Sequence, residues 1–462
     1  MLQYKVKDKV QQEALLKIFY LAGYFNQTKL WNDLLLFDKT GHREEIYNSI
    51  MQSLNIANAA QEDINQFNSK LLRKNLFKDN PKIEVEDVKA WILYVAQNAF
   101  NRKAGQERNE LTSQGWMDKN KEQYINAAKE LGLIDEILPK VQEYTEGWIA
   151  GASRIGLFAR IIYYNKLIEQ VKIKGDTIVL AGERPLWANL DGINPKIYQK
   201  LLDAYNKKLD INNLDIALPI GEDDERIKEG KEYISLLADK NNIKLDPDKP
   251  FIEYQQPQEC PKGLFPGRVY PNYANSPSKK LTESLMGMDL INSFLNNKAT
   301  IIDTVSINHQ RPNTMSTARD AIKPLIKKIL NGEFGEQKEF DILLISNQPY
   351  VKRQELGAAT AINVELEQHH IEGYNIQVVG VGFSNKQDIP TIHSEMAALL
   401  AELYKHHYHP IKAPNKYVIE ALLFQTRPSY PEVEFTPPAI KEITIISQIK
   451  MSLQNMFDNY TD

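Results

Sequence analysis

The chain of 462 residues is long for one compact core and reads as two domains, or one large domain with an appendage. Its formal net charge of -4, from 56 Lys and Arg against 60 Asp and Glu, argues against a protein built around sequence-independent nucleic-acid binding, which needs a strongly basic face, and leaves room for a local basic pocket. Cys260 stands alone, which excludes an intramolecular disulfide and any cysteine-cluster metal site.

No run of about 18 apolar residues occurs, and charges interrupt the start "MLQYKVKDKVQQEALLKIFYLAGYF". The expectation is a soluble, cytoplasmic protein with no membrane span and no nucleic-acid partner; specialised secretion leaves no mark of this kind.

From Lys9 to about Leu138, apolar residues recur at spacings of three and four in "EALLKIFYLAGYF", "VKAWILYVAQNAF" and "YINAAKELGLIDEIL". Breaks at "FDKTGHREE", at the turn Asp79, Asn80, Pro81 and at "KAGQERNELTSQG" divide this pattern into a bundle of roughly five helices over 1–140. At Thr145 the texture changes. "EGWIAGAS" is a short apolar strand ending in small residues, and "RIGLFARIIYYNKLIEQV" is a helix with Leu157, Ile161, Ile162 and Leu167 on its apolar side.

Buried strands recur at "GDTIVLAG", "ATIIDTVSI", "FDILLIS" and "YNIQVVGVGF", with helices at "DERIKEGKEYISLLADKN", "STARDAIKPLIKKIL" and "QELGAATAINVELEQHH". The alternation predicts an α/β, Rossmann-like, mostly parallel sheet wrapped by helices over 141–410. The stretch 246–280 is crowded with Pro, Gly, Asn and Ser and reads as an insertion, an extended loop or a lid. A C-terminal extension over 411–462 is expected to pack on the α/β domain.

In an open parallel sheet the ligand crevice lies beyond the carboxyl ends of the strands, so the residues that follow each strand are the candidates. After the first strand come Gly151, Ala152, Ser153 and Arg154. Small residues admit a ligand close to the backbone, and helix N-terminal amides beside an Arg favour an anion; the plainer alternative is a tight turn with a solvated Arg.

After the second strand come Gly182, Glu183 and Arg184, where Glu183 either orients Arg184 or serves in acid–base work, against a simple surface ion pair. Asp223, Asp224 and Glu225 open a helix, the usual place for dipole-compensating carboxylates; Asp224 and Glu225 also stand as base or metal-ligand candidates. The third strand leads to His309, Arg311, Asn313 and Thr314, of which Asn313 and Thr314 either cap the next helix or touch a phosphate. The fourth leads to Ser346, Asn347, Gln348, Tyr350, Lys352 and Arg353.

"GVGFSN" after the fifth strand lacks the third glycine of a dinucleotide fingerprint, and no GxxxxGK[ST] or GxSxG motif occurs. His393 and Glu395 at a helix start either serve catalysis or, more plainly, cap the helix; His406, His407 and His409 offer metal ligands but stand so close along one helix end that they do not easily converge on one ion. No metal site is predicted, and these motifs name no cofactor.

The order of the strand-end motifs resembles the domain of unknown function 218 family, the YdcF-like and SanA-like proteins, over about Thr145 to Tyr404. "GASR" stands at its first position through Gly151 and Arg154, "LAGERPL" at its second through Gly182, and Glu222 to Glu225 at its acidic helix start. "RPNT" matches its Asn-Thr motif through Asn313 and Thr314, and "ISNQPYVKRQ" its fourth position through Ser346 and Arg353. The family's histidine after that turn is replaced here by the neighbourhood of Gln348, Pro349 and Tyr350.

The resemblance implies a nucleotide-like or phosphate-bearing ligand at the strand ends. Arg154, Arg184, Arg311 and Arg353 would neutralise the anion, Ser346 and Asn347 would bond its oxygens or sugar, and Glu183 or an acidic residue of "GEDDE" would serve a hydrolase or transferase. The alternative is a bacterial interaction factor, in which the helical N-terminal domain binds a protein partner and the α/β domain is a scaffold.

Overall fold

The computed structural model describes residues 115–214, 224–245, 281–305 and 312–407, with isolated positions before them. Most of the expected N-terminal bundle, the insertion over 246–280, the extension over 411–462, and Arg311, His309 and Cys260 lie outside the described residues. The chain divides into two compact units.

In chain order the described elements begin with α1 (Gly115–Lys119) and α2 (Lys121–Glu130). Next come β1 (Glu143–Tyr144), β2 (Glu146–Ala150), α3 (Arg154–Leu167), β3 (Lys172–Ile173), β4 (Thr177–Gly182), α4 (Ala188–Asp191), α5 (Pro195–Lys207) and α6 (Asp224–Lys240). The series closes with α7 (Glu283–Phe294), β5 (Thr300–Thr304), α8 (Thr314–Leu330), β6 (Glu339–Asn347), α9 (Val351–Gln368), β7 (Asn375–Phe383) and α10 (Ile389–His407).

Residues 133–388 belong to the first unit, and α10 belongs with α1 and α2 to the second. Within the second unit Tyr124 of α2 and His393 of α10 share a buried hydrogen bond of 2.9 Å.

The first unit is built on a 5-stranded sheet in the order β5-β4-β2-β6-β7, with every neighbouring pair parallel. Its central strands are apolar along their length because helices cover both faces. Ile149, Val179, Leu343 and Ile345 point to the face packed by α3 and α7, through Leu157, Phe158, Met286 and Leu290. Their neighbours Trp148, Ile178, Leu344 and Ile342 point to the face packed by α8 and α9, through Ala318, Ile322, Ala358 and Ile362. Successive residues alternate faces, so each strand feeds both cores.

The chain moves outward from β2 to β4 to β5, then returns across the sheet to β6 and moves outward the other way to β7. Crossovers of one hand place the helices of the first half on one face and those of the second half on the other. The reversal falls between β2 and β6, where Ile149 pairs with Ile345. The free edge of β7 is covered at Gly382 by an antiparallel bridge to Ile137. A 2-stranded parallel ladder, β1 with β3, lies apart from the main sheet.

The α/β architecture and its parallel sheet agree with the sequence expectation. Helices α5 and α7 were not among the expected elements. In α7 the obstacle is Gly287, which interrupts the apolar pattern; a Cβ there would lie 2.5 Å from Ile301 Cδ1, so the glycine lets the helix approach β5.

Candidate functional site

The carboxyl ends of all the main strands lie on one edge of the sheet, and the switch between β2 and β6 is the place where such sheets open a crevice. The residues at that edge are linked by a chain of contacts. Asn347 ends β6, and its Oδ1 accepts from Arg160 Nε at 2.9 Å and from Arg160 Nη2 at 2.8 Å. Arg160 Nη1 donates to the carbonyls of Ala150 at 2.8 Å and Gly151 at 2.7 Å, at the end of β2.

Arg160 sits two turns into α3, yet reaches the loop before it because helical side chains slant toward the N-terminus. It is 2% exposed. Its bonds to Asn347, Ala150 and Gly151 go to neutral oxygens and fix the guanidinium at the switch.

Gly151 also meets Glu283, the first residue of α7. A Cβ on Gly151 would lie 2.2 Å from the Leu180 carbonyl oxygen and 2.5 Å from Glu283 Oε1. The Glu283 backbone amide donates to the Arg184 carbonyl at 2.8 Å, which pins the start of α7 to the exit of β4. Arg184 Nε donates to Glu283 Oε2 at 3.3 Å, and its other nitrogens grip Asp191 at 2.8 and 2.7 Å. Asp191 is fully buried and also accepts the Trp187 amide at 2.9 Å.

At the end of β4 the contacts pass to α8. A Cβ on Gly182 would lie 2.7 Å from Pro312 Cβ, immediately before the capping residue of α8. Thr314 then lies 3.5 Å from Arg353 Nη1 in the first turn of α9. The Tyr350 amide donates to the Asn347 carbonyl at 2.9 Å, closing the circuit.

The predicted residues divide by what they do. Gly151, Gly182, Arg184, Asn347, Thr314 and Arg353 are brought together by this circuit, and half-buried Glu183 follows Gly182, its amide donating to the Thr304 carbonyl at 2.9 Å. Asn313 caps α8 in a reciprocal box with Ser316. Ser153 is the N-cap residue of α3, and its side chain makes no capping bond.

Ser346 is fully buried and its hydroxyl donates to Gln354; Gln348 is fully buried and its Nε2 donates to the Asp135 carbonyl at 2.6 Å. These two brace the turn from β6 into α9, in which the Gln348–Pro349 peptide is cis. Arg154 is buried, pairs with Glu229 at 2.6 Å and lies 3.5 Å over the Tyr233 ring. Asp224 and Glu225 are exposed in the first turn of α6, and Asn194 Nδ2 donates to Glu225 at 3.4 Å.

Sequence reasoning missed Arg160 and Glu283. Arg160 lies within an apolar helix and reads as one charged residue on a solvated side; the available signal was apolar neighbours on every side of it in "LFARIIYY". Glu283 follows the Pro- and Gly-rich sequence of 246–280, which masked the helical pattern after it. The carboxylate at a helix start that lies against the end of β2 is Glu283.

The charges are uneven. Arg154 with Glu229 is neutral, while Arg184, Asp191 and Glu283 together carry one formal negative charge. Toward β6 the balance reverses: α8 and α9 hold no acidic residue in their first turns, and α9 starts with Lys352 and Arg353 beside its positive dipole end.

Buried polar atoms without a partner are also found here. Among the described residues Arg154 Nε, Asn189 Oδ1, Thr304 Oγ1 and Gln387 Nε2 make no hydrogen bond. Thr304 ends β5, Gln387 follows β7, Arg154 opens α3 and Asn189 lies in α4. Buried polar groups are ordinarily satisfied, so each of these atoms calls for an explanation. Among the described residues no cluster of His, Cys, Asp and Glu could hold a metal ion, and no helix is long and apolar enough to cross a membrane.

Comparison with family models, curated proteins and solved structures gives no match for this chain.

Proposed function

We propose that this chain binds a phosphate-bearing, nucleotide-like small molecule at the carboxyl edge of its sheet, over the switch between β2 and β6. The observation that carries the reading is the strand-order reversal between β2 and β6, with the buried Thr304 hydroxyl, which makes no hydrogen bond, at the end of β5 on the same edge. The start of α9, which has no side-chain cap, no acidic residue in its first turn and carries Lys352 and Arg353, supports an anionic group on the ligand, because helix N-termini and first-turn cations favour negative charge.

This reading assigns the anion to Lys352 and Arg353 in the first turn of α9, with the backbone around Thr314, which lies 3.5 Å from Arg353 Nη1. Half-buried Glu183, at the exit of β4, is the carboxylate this reading assigns to a hydrolase or transferase step. Arg160 and Asn347 hold the floor of the site in place.

Thermal unfolding of the full chain with inorganic phosphate, adenosine monophosphate and adenosine triphosphate tests the reading, with chloride at matched ionic strength as control. A ligand at 100 times its Kd stabilises by about 2.7 kcal/mol, which a melting curve resolves. The expected result is a saturable rise in Tm with at least one phosphate probe, lost when Lys352 and Arg353 are both replaced by Ala. No rise beyond the chloride control, or a rise that the double variant retains, refutes it.

A further inference from the structure

We propose that two copies of this chain join along the free edge of β5, pairing antiparallel about a two-fold axis at Ile302 and continuing the sheet from one copy into the other. The inference does not draw on the ligand reading above.

β5 ends the sheet, and among the described residues no strand pairs with it on the side away from β4. Thr300 and Asp303 are exposed and Ile301 and Ile302 half-buried, whereas every residue of β2 and β4 is buried. The opposite edge is treated differently, since the Ile137 bridge covers β7 at Gly382. An edge strand offers unpaired amides and carbonyls as a template for another strand, and chains that stay monomeric blunt such edges with proline, lysine, a bulge or a covering segment. β5, "TIIDT", contains neither proline nor lysine, and its register with β4 runs from Thr300 to Thr304 without a bulge. Its one charge, Asp303, is turned onto a face of the sheet, where Oδ1 accepts the Ser284 hydroxyl at 2.5 Å.

The parity of the ladder fixes which groups face outward. The Glu183 amide donates to the Thr304 carbonyl at 2.9 Å, so Thr304, and with it Ile302 and Thr300, turns its backbone toward β4. Ile301 and Asp303 therefore present both N–H and C=O to the free edge, and the same alternation carries Ala299 and Val305 to that side. A two-fold axis through Ile302 sets Ile301 opposite Asp303 of the second copy and Ala299 opposite Val305. In each case two outward-facing residues exchange both bonds.

The side chains answer one another under this operation, which is what selects a second copy over an unrelated strand. Val305 is a 60% exposed apolar residue, and it meets Ala299 on the face where Ala299 and Ile301 pack against the core under α7. On the α8 face Ile302 meets its own copy and Thr300 meets Thr304, cross-strand pairs that stabilise antiparallel ladders. Asp303 falls opposite Ile301, so like charges do not stand directly across the axis. Met288 of α7 is 39% exposed and follows Gly287, which packs on Ile301, so it adds apolar cover beside the seam. The pairing closes at two copies because it uses the β5 edge of both.

Sedimentation equilibrium of the full chain over a wide range of concentration tests the proposal, with wild type compared with Val305→Lys and Val305→Pro. Both changes alter the outer edge and leave the ladder with β4 untouched. A second readout is mild oxidation of Ile302→Cys and, as control, of the exposed Thr300→Cys, both in a Cys260→Ser background. In a non-hydrogen-bonded antiparallel pair the Cα atoms stand about 4.5 Å apart, within disulfide reach. Thr300 faces Thr304 rather than itself.

Wild type is expected to approach the dimer mass as concentration rises, and both Val305 variants to stay at the monomer mass with a wild-type circular dichroism spectrum. Ile302→Cys is expected to form a covalent dimer and Thr300→Cys to remain reduced. A wild type that is monomeric at every concentration overturns the proposal. So does a dimer that both Val305 variants retain, or one that crosslinks through Thr300→Cys as readily as through Ile302→Cys. Should Ile302→Cys fail to fold, the masses of wild type and the Val305 variants decide.

Discussion

Replacing Glu146 with Gln should remove a pH dependence that the fold imposes. Glu146 starts β2 and is 2% exposed; its Oε2 accepts the Trp148 Nε1 hydrogen at 2.9 Å. Burial is the main force on its carboxyl and pushes the pKa from 4.5 up to about 7; the Trp148 bond opposes this, and Asp176 adds to it. A displacement of about 2.5 pH units corresponds to roughly 3 kcal/mol at 1.36 kcal/mol per unit.

The folded pKa lies above the unfolded one, so the contribution is fully present below pH 4.5 and is lost as pH rises through about 7. Gln keeps a carbonyl oxygen for Trp148 and does not ionise. Chemical denaturation of wild type and Glu146→Gln from pH 4.5 to 9 should show similar stabilities at the acid end, with the variant gaining progressively to about 3 kcal/mol above pH 8. Subtracting the two curves removes the titrating groups they share. A difference that stays flat across the range would falsify the assignment of a buried, neutral carboxyl at the start of β2.

The remaining expectations concern the strand ends. Gly151→Ala places a Cβ 2.2 Å from a backbone oxygen of β4 that has no room to yield, and should lower stability by more than about 3 kcal/mol; a melting temperature near wild type would count against this packing. Arg160→Met leaves Asn347 Oδ1 and the carbonyls of Ala150 and Gly151 short of donors and should cost about 3–5 kcal/mol by denaturant titration; a loss under about 0.5 kcal/mol would mean that the switch does not depend on it. Asn313→Ala removes one half of the capping box and should cost about 1 kcal/mol while leaving phosphate affinity unchanged; weaker phosphate binding at full stability would move Asn313 from cap to ligand contact.

The order and identity of the main strands were legible in the sequence, because a parallel strand buried on both faces must be apolar along its length and must finish in a polar turn. "GDTIVLAG", "FDILLIS" and "YNIQVVGVGF" meet both conditions, and each forms a strand of the sheet. Periodicity also carried α3, α8 and α9, even through Pro324, since an apolar stripe survives one misplaced residue.

The partners of the strand-end residues were not legible. A motif shows that Arg184 follows a strand, but Asp191 and Glu283 reach it only once α4 and α7 are in place. Ser346 and Gln348 read as ligand contacts because they are polar at a strand end; hydrogen bonds to Gln354 and Asp135 show them bracing the turn.

Arg160 and Glu283 are the converse case, ordinary in sequence and central in space. One reaches the switch because helical side chains slant backward, the other because a glycine left room above β2. Sequence by itself determined which segments are buried, since burial is a local demand on composition. Only the tertiary structure decided which charges meet, since pairing depends on distances that residue order does not contain.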